Sequence, residues 1–137
     1  MGGACPSCGG GAGGAPVHGS GMGGSGGGEE GGRFAWGRLE DPEKEILRYA
    51  NTAESGIGRT TPVWMYPQGA SPRGVRDLSG NVWEWQANYY DKDHDFLGLR
   101  GGSWDYHWSD ARVAARANLR PSSRWDNYGF RLVALPL

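Results

Sequence analysis

The chain has 137 residues, and its 14 Lys+Arg against 15 Asp+Glu give a formal charge of −1; one domain is the expectation, and a multi-domain enzyme is disfavoured. Near-neutrality removes the electrostatic basis of non-specific nucleic-acid binding, which needs a net basic surface to displace counterions. No run approaches the roughly 20 apolar residues that cross a bilayer, and Met1 to Gly14 has neither the basic flank nor the apolar stretch of a secretory signal. Neither nucleic acid nor membrane is an expected partner, and the cytoplasm is the default compartment.

The average conceals two parts. Residues 1–32 hold 16 of the 26 glycines, whereas all 7 Trp, 6 Tyr and 3 Phe lie in residues 33–137. The first part reads as a flexible glycine-rich tail, with few side chains to bury and the largest backbone entropy to lose. The second is long enough for one small core. Inside the tail, Cys5-Pro-Ser-Cys8-Gly9 resembles one knuckle of a zinc ribbon, two thiolates set to grip one side of a tetrahedral zinc. A closed site needs four ligands. His18 is the other candidate nearby and no second Cys pair follows, so reduced thiols are the competing reading.

Along the second part, aromatic residues alternate with turn signals, the punctuation of short strands and long loops. Asp41-Pro42 followed by Glu43, Glu45, Ile46 and Leu47 predicts a helix of about two turns, with an N-cap, a first-turn proline and acids at the positive end of the dipole. Val63-Trp64-Met65-Tyr66 is a short apolar run stopped by Pro67-Gln68-Gly69 and reads as a strand. Val82 to Gln86 alternates, placing Trp83 and Trp85 on one face. Arg112 and Arg116 fit either a strand with both guanidinia on one face or one helical turn. Gly129 to Leu135 sets Phe130, Leu132 and Ala134 on one side and Arg131, Val133 and Leu135 on the other, the pattern of a central strand.

Six blocks in order complete the reading: Arg33-Phe34-Ala35-Trp36-Gly37, Tyr49-Ala50-Asn51-Thr52, Thr60-Thr61-Pro62-Val63, Gly74 to Trp85 with its Gly80-Asn81-Val82-Trp83-Glu84-Trp85, Leu99-Arg100-Gly101-Gly102-Ser103-Trp104, and Gly129-Phe130-Arg131-Leu132. Together they resemble the formylglycine-generating enzyme (sulfatase-modifying factor) family across nearly all of residues 33–137. The resemblance implies an α+β domain with a C-type-lectin-like fold, short twisted strands and extensive ordered loops. It favours the strand for Arg112 and Arg116, which would pair with Asp105, Asp110 or Glu84.

Two departures from the family pattern bear on function. The family domain carries a first half about as long again, where this chain has glycine-rich sequence. Its catalytic members hold copper on two cysteines shortly after the Gly-Gly-Ser motif, and alignment on Gly101-Gly102-Ser103 puts Tyr106 and Ala111 there. Phenol and methyl cannot replace thiolate as copper ligands, so no copper is expected. The related iron-dependent sulfoxide synthases use three histidines from a helical domain, whereas this chain has His18, His94 and His107 and no such domain.

The resemblance also implies a structural calcium at the positions of Asp77, Gly80, Val82 and Glu84, two carboxylates and two carbonyls, as a hard cation prefers. The competing reading pairs Glu84 with Arg100 or Arg131. A second calcium site of the family would start at Asn51 and Thr52, with Glu54 or Ser55 where an Asp is expected. The remaining candidate is a loop face: Asp105, Tyr106, His107, Trp108, Ser109 and Asp110 beside Trp125, Asp126, Asn127 and Tyr128, with Trp104 at its base reading as core. Its aromatics combine large apolar area with adaptable hydrogen bonding. The face resembles that of diversity-generating retroelement variable proteins, whose changes arise from adenines of Asn codons. Asp105, Tyr106, His107, Ser109, Asp126 and Tyr128 are reachable that way, whereas Trp108 and Trp125 are not. The expectation is a non-catalytic binding module for a protein or small polar ligand, which self-associates or pairs with a partner chain. The alternative is a sulfatase-maturation enzyme homologue or fragment completed by a partner.

Overall fold

The computed structural model describes residues 33–134. The Cys5/Cys8 knuckle, the rest of the tail and Leu135 lie outside the described residues.

Helix α1 (Pro42–Glu45) is one turn that tightens into a 3-10 turn over Ile46–Arg48. Pro42 supplies the expected start, but the Asp41 side chain does not cap it. Asp41 instead pairs with Lys44 (2.7 Å), and the Glu45 carboxylate reaches back to the Asp41 N–H (2.7 Å), satisfying one of the orphan donors of the helix start. One face buries Ile46 against Phe34, Leu39, Ala50 and Ala111. Trp36 stacks between Phe34 and Tyr49, with ring centroids 5.0 and 5.2 Å apart.

The sheet is small. Strands β1 (Trp83–Tyr89), β2 (Leu97–Arg100), β3 (Ala117–Leu119) and β4 (Tyr128–Gly129) lie in the order β3-β2-β1-β4. β1 runs antiparallel to β2 in the register Glu84↔Arg100 and Trp85↔Leu99, and parallel to β4 with Trp83 opposite Tyr128. β3 completes the other edge, with Leu99 opposite Ala117. Trp83 and Trp85 share a face as their spacing predicts, and Trp83, Leu99, Ala117 and Leu119 form the second core cluster with Trp85, Tyr106 and Tyr128 packed on it.

Three sequence expectations are corrected. Residues 63–66 form no strand: the Met65 N–H donates to the Pro62 carbonyl (3.0 Å), and Pro62 and Pro67 bracket a turn that leaves Val63, Trp64 and Met65 exposed. Arg112 opens a turn closed by the Ala115 N–H on its carbonyl (2.9 Å), and Arg116 links that turn to β3, so neither lies in a strand. Within residues 129–134, Gly129 alone joins the sheet, in the edge strand β4, and Phe130, Leu132 and Val133 are 72%, 86% and 81% exposed. Apolar residues on both faces suggested a centre, but β4 has a neighbour on one side only among the described residues.

Loops make up most of the described residues, and a buried polar hub orders them. Asn81 adopts a left-handed backbone (φ +68). Its amide donates to the Thr61 carbonyl (3.1 Å) and Asp77 Oδ2 (2.9 Å) and accepts from the Thr61 N–H (2.9 Å) and Asn51 Nδ2 (3.3 Å). Its own N–H donates to the Asn51 carbonyl (2.7 Å), and its carbonyl accepts from Trp104 N–H (3.0 Å). Gly80 beside it (φ +84) must be glycine, since a Cβ there would stand 2.6 Å from the Asn51 oxygen. Substituting Asn81→Ala strands several buried groups and forces alanine into a left-handed conformation. The expected loss is about 3 kcal/mol or more, read as a drop in the urea midpoint; an unchanged midpoint contradicts the hub.

Candidate functional site

The loop face is assembled from two segments that the hub and the sheet bring side by side. Ser103, fully buried after the Gly101-Gly102 turn, donates to Asp105 Oδ1 (2.6 Å), and Asn127 Nδ2 donates to both Asp105 oxygens (2.9 and 3.0 Å). Asn127 is itself buried, its carbonyl accepting the Trp83 N–H (2.9 Å). Next to this bridge the phenols of Tyr106 and Tyr128 are hydrogen-bonded, and burial is the main cause that pushes both pKa values up, so both stay neutral. Tyr106 meets the core edge-on at Trp83, centroids 5.6 Å apart.

A second anchor comes from the 3-10 turn Ala53–Ser55. The Ala53 N–H donates to the Tyr106 carbonyl (2.9 Å), and Glu54 Oε1 accepts the Trp108 N–H (2.9 Å) and lies 3.5 Å from His107 Nε2. Burial pushes the Glu54 carboxyl up, but hydrogen bonds such as that from Trp108 outweigh it and hold the group below the usual range. His107 caps the 3-10 turn Trp108–Ala111, its Nδ1 accepting from Ser109 N–H (3.3 Å) and contacting Ser109 Oγ (2.9 Å).

The ten residues of the sequence-derived face thus divide. Asp105, His107, Trp125 and Asp126 are exposed, Trp125 by 51%. Tyr106, Ser109, Asp110 and Tyr128 are half-buried and Asn127 buried, so these five form floor and wall. Trp108 is the exception: its ring packs on the Phe34 cluster, 6.2 Å from Phe34, with the indole N–H inside. It supports the face rather than presenting itself. Trp104, half-buried with an enclosed indole N–H, is likewise packing. Ala111 belongs to the first core cluster and Tyr106 packs on the second. Arg112 Nε donates to the Ser109 carbonyl (2.7 Å), and Arg116 lies over the Tyr90 ring (4.8 Å).

Three of the four predicted calcium positions, Asp77, Val82 and Glu84, line one cleft, and Gly80 is not among its lining residues. Asp77 is 9% exposed, and burial pushes its carboxyl up to about 6 in spite of Asn81 and Arg131, the mark of a buried anion short of positive charge. Both Glu84 oxygens accept from Arg131, whose guanidinium also donates to the carbonyls of Arg76 (3.1 Å) and Asp77 (2.9 Å). Arg100 instead donates to the Val113 and Ala115 carbonyls. The donor set suits a hard divalent cation, with Arg131 as its competitor for Glu84. The second suggested site is spent on structure: Asn51 Nδ2 donates to the Arg59 carbonyl (2.9 Å), Ser55 Oγ donates to Asn51 Oδ1 (2.9 Å), and Glu54 turns to the loop face. The anchoring by Glu54 left no sequence signal, because it spans 54 positions.

Fold and site together define a C-type-lectin-like scaffold of the formylglycine-generating type. The sequence matches the sulfatase-modifying factor enzyme 1-like domain over residues 22–135, and the chain belongs to that family. It is 37% identical over 110 residues to the inactive C-alpha-formylglycine-generating enzyme 2 of Bos taurus, covering 72% of this chain and 36% of that protein. The formylglycine-generating enzyme of Streptomyces coelicolor is 34% identical, with 74% and 40% covered. Among solved structures, PvdO from Pseudomonas aeruginosa superposes with a TM-score of 0.62 at 30% identity, covering 72% of this chain and 44% of that one. Treponema denticola variable protein 1 follows at 0.57 and 26%, with 71% and 39% covered. The chain thus spans well under half the length of these relatives.

Packing separates the two exposed-loop tryptophans. Trp108 is half-buried against the Phe34 cluster, so Trp108→Ala should cost a substantial part of the roughly 3 to 5 kcal/mol of a fully buried aromatic truncation, whereas Trp125→Ala should leave the denaturation midpoint within error. Equal effects would contradict the division of the face.

Proposed function

We propose that this chain is a non-catalytic ligand-binding module, which uses Trp125 as an exposed aromatic anchor and Asp105, His107 and Asp126 as its polar surround, for a protein or small polar ligand. The observation that carries this reading is the bridge of Asp105 to Asn127 together with the Tyr106–Tyr128 pair, which fix two loops as one rigid floor while leaving those side chains exposed. Rigid aromatic anchors with a polar rim concentrate binding energy at low entropic cost. Likeness to a protein named a variable protein supports it, as does likeness to one named inactive. Retroelement-type diversification of the face belongs to the same proposal. Screening glycan and peptide arrays tests it: Trp125→Ala should abolish binding of any hit by at least about tenfold with the fold intact, and hits indifferent to that substitution refute the face.

A formylglycine-generating activity completed by a partner chain is the second reading, favoured by the likeness to the Streptomyces enzyme. Copper needs thiolates, which Tyr106 and Ala111 do not provide. Incubated with copper and a sulfatase-type cysteine peptide, the protein should leave the peptide mass unchanged; a shift matching thiol-to-aldehyde conversion overturns the non-catalytic reading.

We also propose calcium as a structural ion held by Asp77 and Glu84 with the carbonyls of Gly80 and Val82. A ligand that binds the native state alone raises stability by about 3 kcal/mol at a hundredfold excess over its dissociation constant. Calcium should therefore raise the melting temperature, and Glu84→Gln should remove the rise. A melting curve indifferent to calcium and to chelator leaves Arg131 as the sole partner of Glu84.

A further inference from the structure

The side of the sheet that faces away from its core carries arginines without acids. Ala117 and Leu119 of β3 are buried in the second core cluster, so alternation turns Arg116, Asn118 and Arg120 the other way. Gly98 of β2 stands opposite Asn118, and Arg100, two residues on, shares its side. From β1, Gln86 and Asn88 lie over Gly98, each 3.7 Å from where a Cβ would be. Polar residues thus occupy this side in all three strands, unlike a face that packs on further chain.

Each guanidinium is fixed in place, yet none is neutralised. Arg100 Nη1 donates to the carbonyls of Val113 (3.2 Å) and Ala115 (3.1 Å), the latter next to Arg116 in the chain. Its cross-strand neighbour Glu84 is taken by Arg131. Arg116 and Arg120 lie over the rings of Tyr90 and Phe96, 4.8 and 5.1 Å from the centroids. Among the described residues none of the three arginines makes an ion pair, not even with Asp91, Asp93 or Asp95 of the neighbouring β1–β2 turn. The remaining N–H groups of Arg100 and Arg116 find no acceptor there either. Burial, and after it the charge of Arg116, holds the Arg100 guanidinium below its ordinary range. Between Arg116 and Arg120, Asn118 is 6% exposed, and its amide makes no hydrogen bond among the described residues. Two like charges held together beside a buried, unpaired amide are stabilised by an anion that accepts from all of them.

We propose that Arg100 and Arg116 hold a dianionic tetrahedral oxyanion, as free phosphate or as the phosphate monoester of a small molecule, with Asn118 and Arg120 extending the site along β3. Two planar guanidinia offer paired N–H donors that match phosphate oxygens, and a dianion balances both charges where a carboxylate balances one. None of these residues belongs to the loop face or to the Asp77–Glu84 cleft, so this site stands or falls apart from both.

Calorimetric titration of the full chain with inorganic phosphate, phosphoserine and acetate at one ionic strength tests it. Phosphate should bind saturably and raise the melting temperature, and acetate should bind at least about tenfold more weakly. Phosphoserine tighter than phosphate identifies a monoester as the ligand, and the reverse identifies the free ion. Arg116→Gln should lower phosphate affinity at least about tenfold with the fold retained, because the side chain is exposed. Arg124→Gln removes an equally exposed guanidinium that donates to its own loop carbonyls, Pro121 and Ser123, and should leave the affinity unchanged. Absence of saturable phosphate binding, acetate binding as tightly, or equal losses in the two variants overturns the proposal.

Discussion

The hydrogen bonds of Asn81 are the constraint on which the rest of this fold rests. The strands are short, so most backbone N–H and C=O groups have no ladder to satisfy them, and a loop cannot be buried with those groups unpaired. One amide with two donors and an acceptor holds Thr61, Asn51 and Asp77, while the backbone of the same residue binds Asn51 and Trp104. Three distant segments, at Asn51, Thr61 and Trp104, and the neighbouring Asp77 are thereby fixed to one point. Other buried polar side chains bind elsewhere: Ser79 accepts the Ala35 N–H, and Ser103 and Asn127 hold Asp105.

The loop face is a consequence of that order. Once the Trp104 N–H is fixed on Asn81 and the Tyr106 carbonyl on Ala53, the chain from Ser103 to Ala111 has little freedom, and Asn127 locks the second loop against Asp105. Packing consumes Trp104 and Trp108 in the process. What remains outward is a small set of side chains on a base held by these hydrogen bonds.

A different balance governs the β4 side. Arg131 neutralises Glu84 and binds two carbonyls, yet burial keeps the Asp77 carboxyl above its ordinary range in spite of Asn81 and Arg131. The same arginine holds the terminal segment against the 76–77 loop, so electrostatics at the cleft and presentation of the apolar edge are one feature.

By itself the sequence determined the family, through blocks such as Gly80-Asn81-Val82-Trp83-Glu84-Trp85, as well as the single short helix and the shared face of Trp83 and Trp85. These are local matters of motif, capping and alternation. Tertiary structure alone decided the rest. Apolar alternation says that Phe130, Leu132 and Val133 fit a buried strand, but burial depends on neighbours far along the chain, and a sheet edge supplies one side only. Trp108 and Trp125 look alike in sequence; one lies over Phe34 and the other in water because the first is pulled in by the backbone bond to Glu54. Glu84 has Arg100 as its cross-strand neighbour on β2, yet it meets Arg131, because the Val113 and Ala115 carbonyls take the Arg100 guanidinium. Contacts across 40 or 50 residues carry no local signature, because their energy is realised only when the chain has already folded.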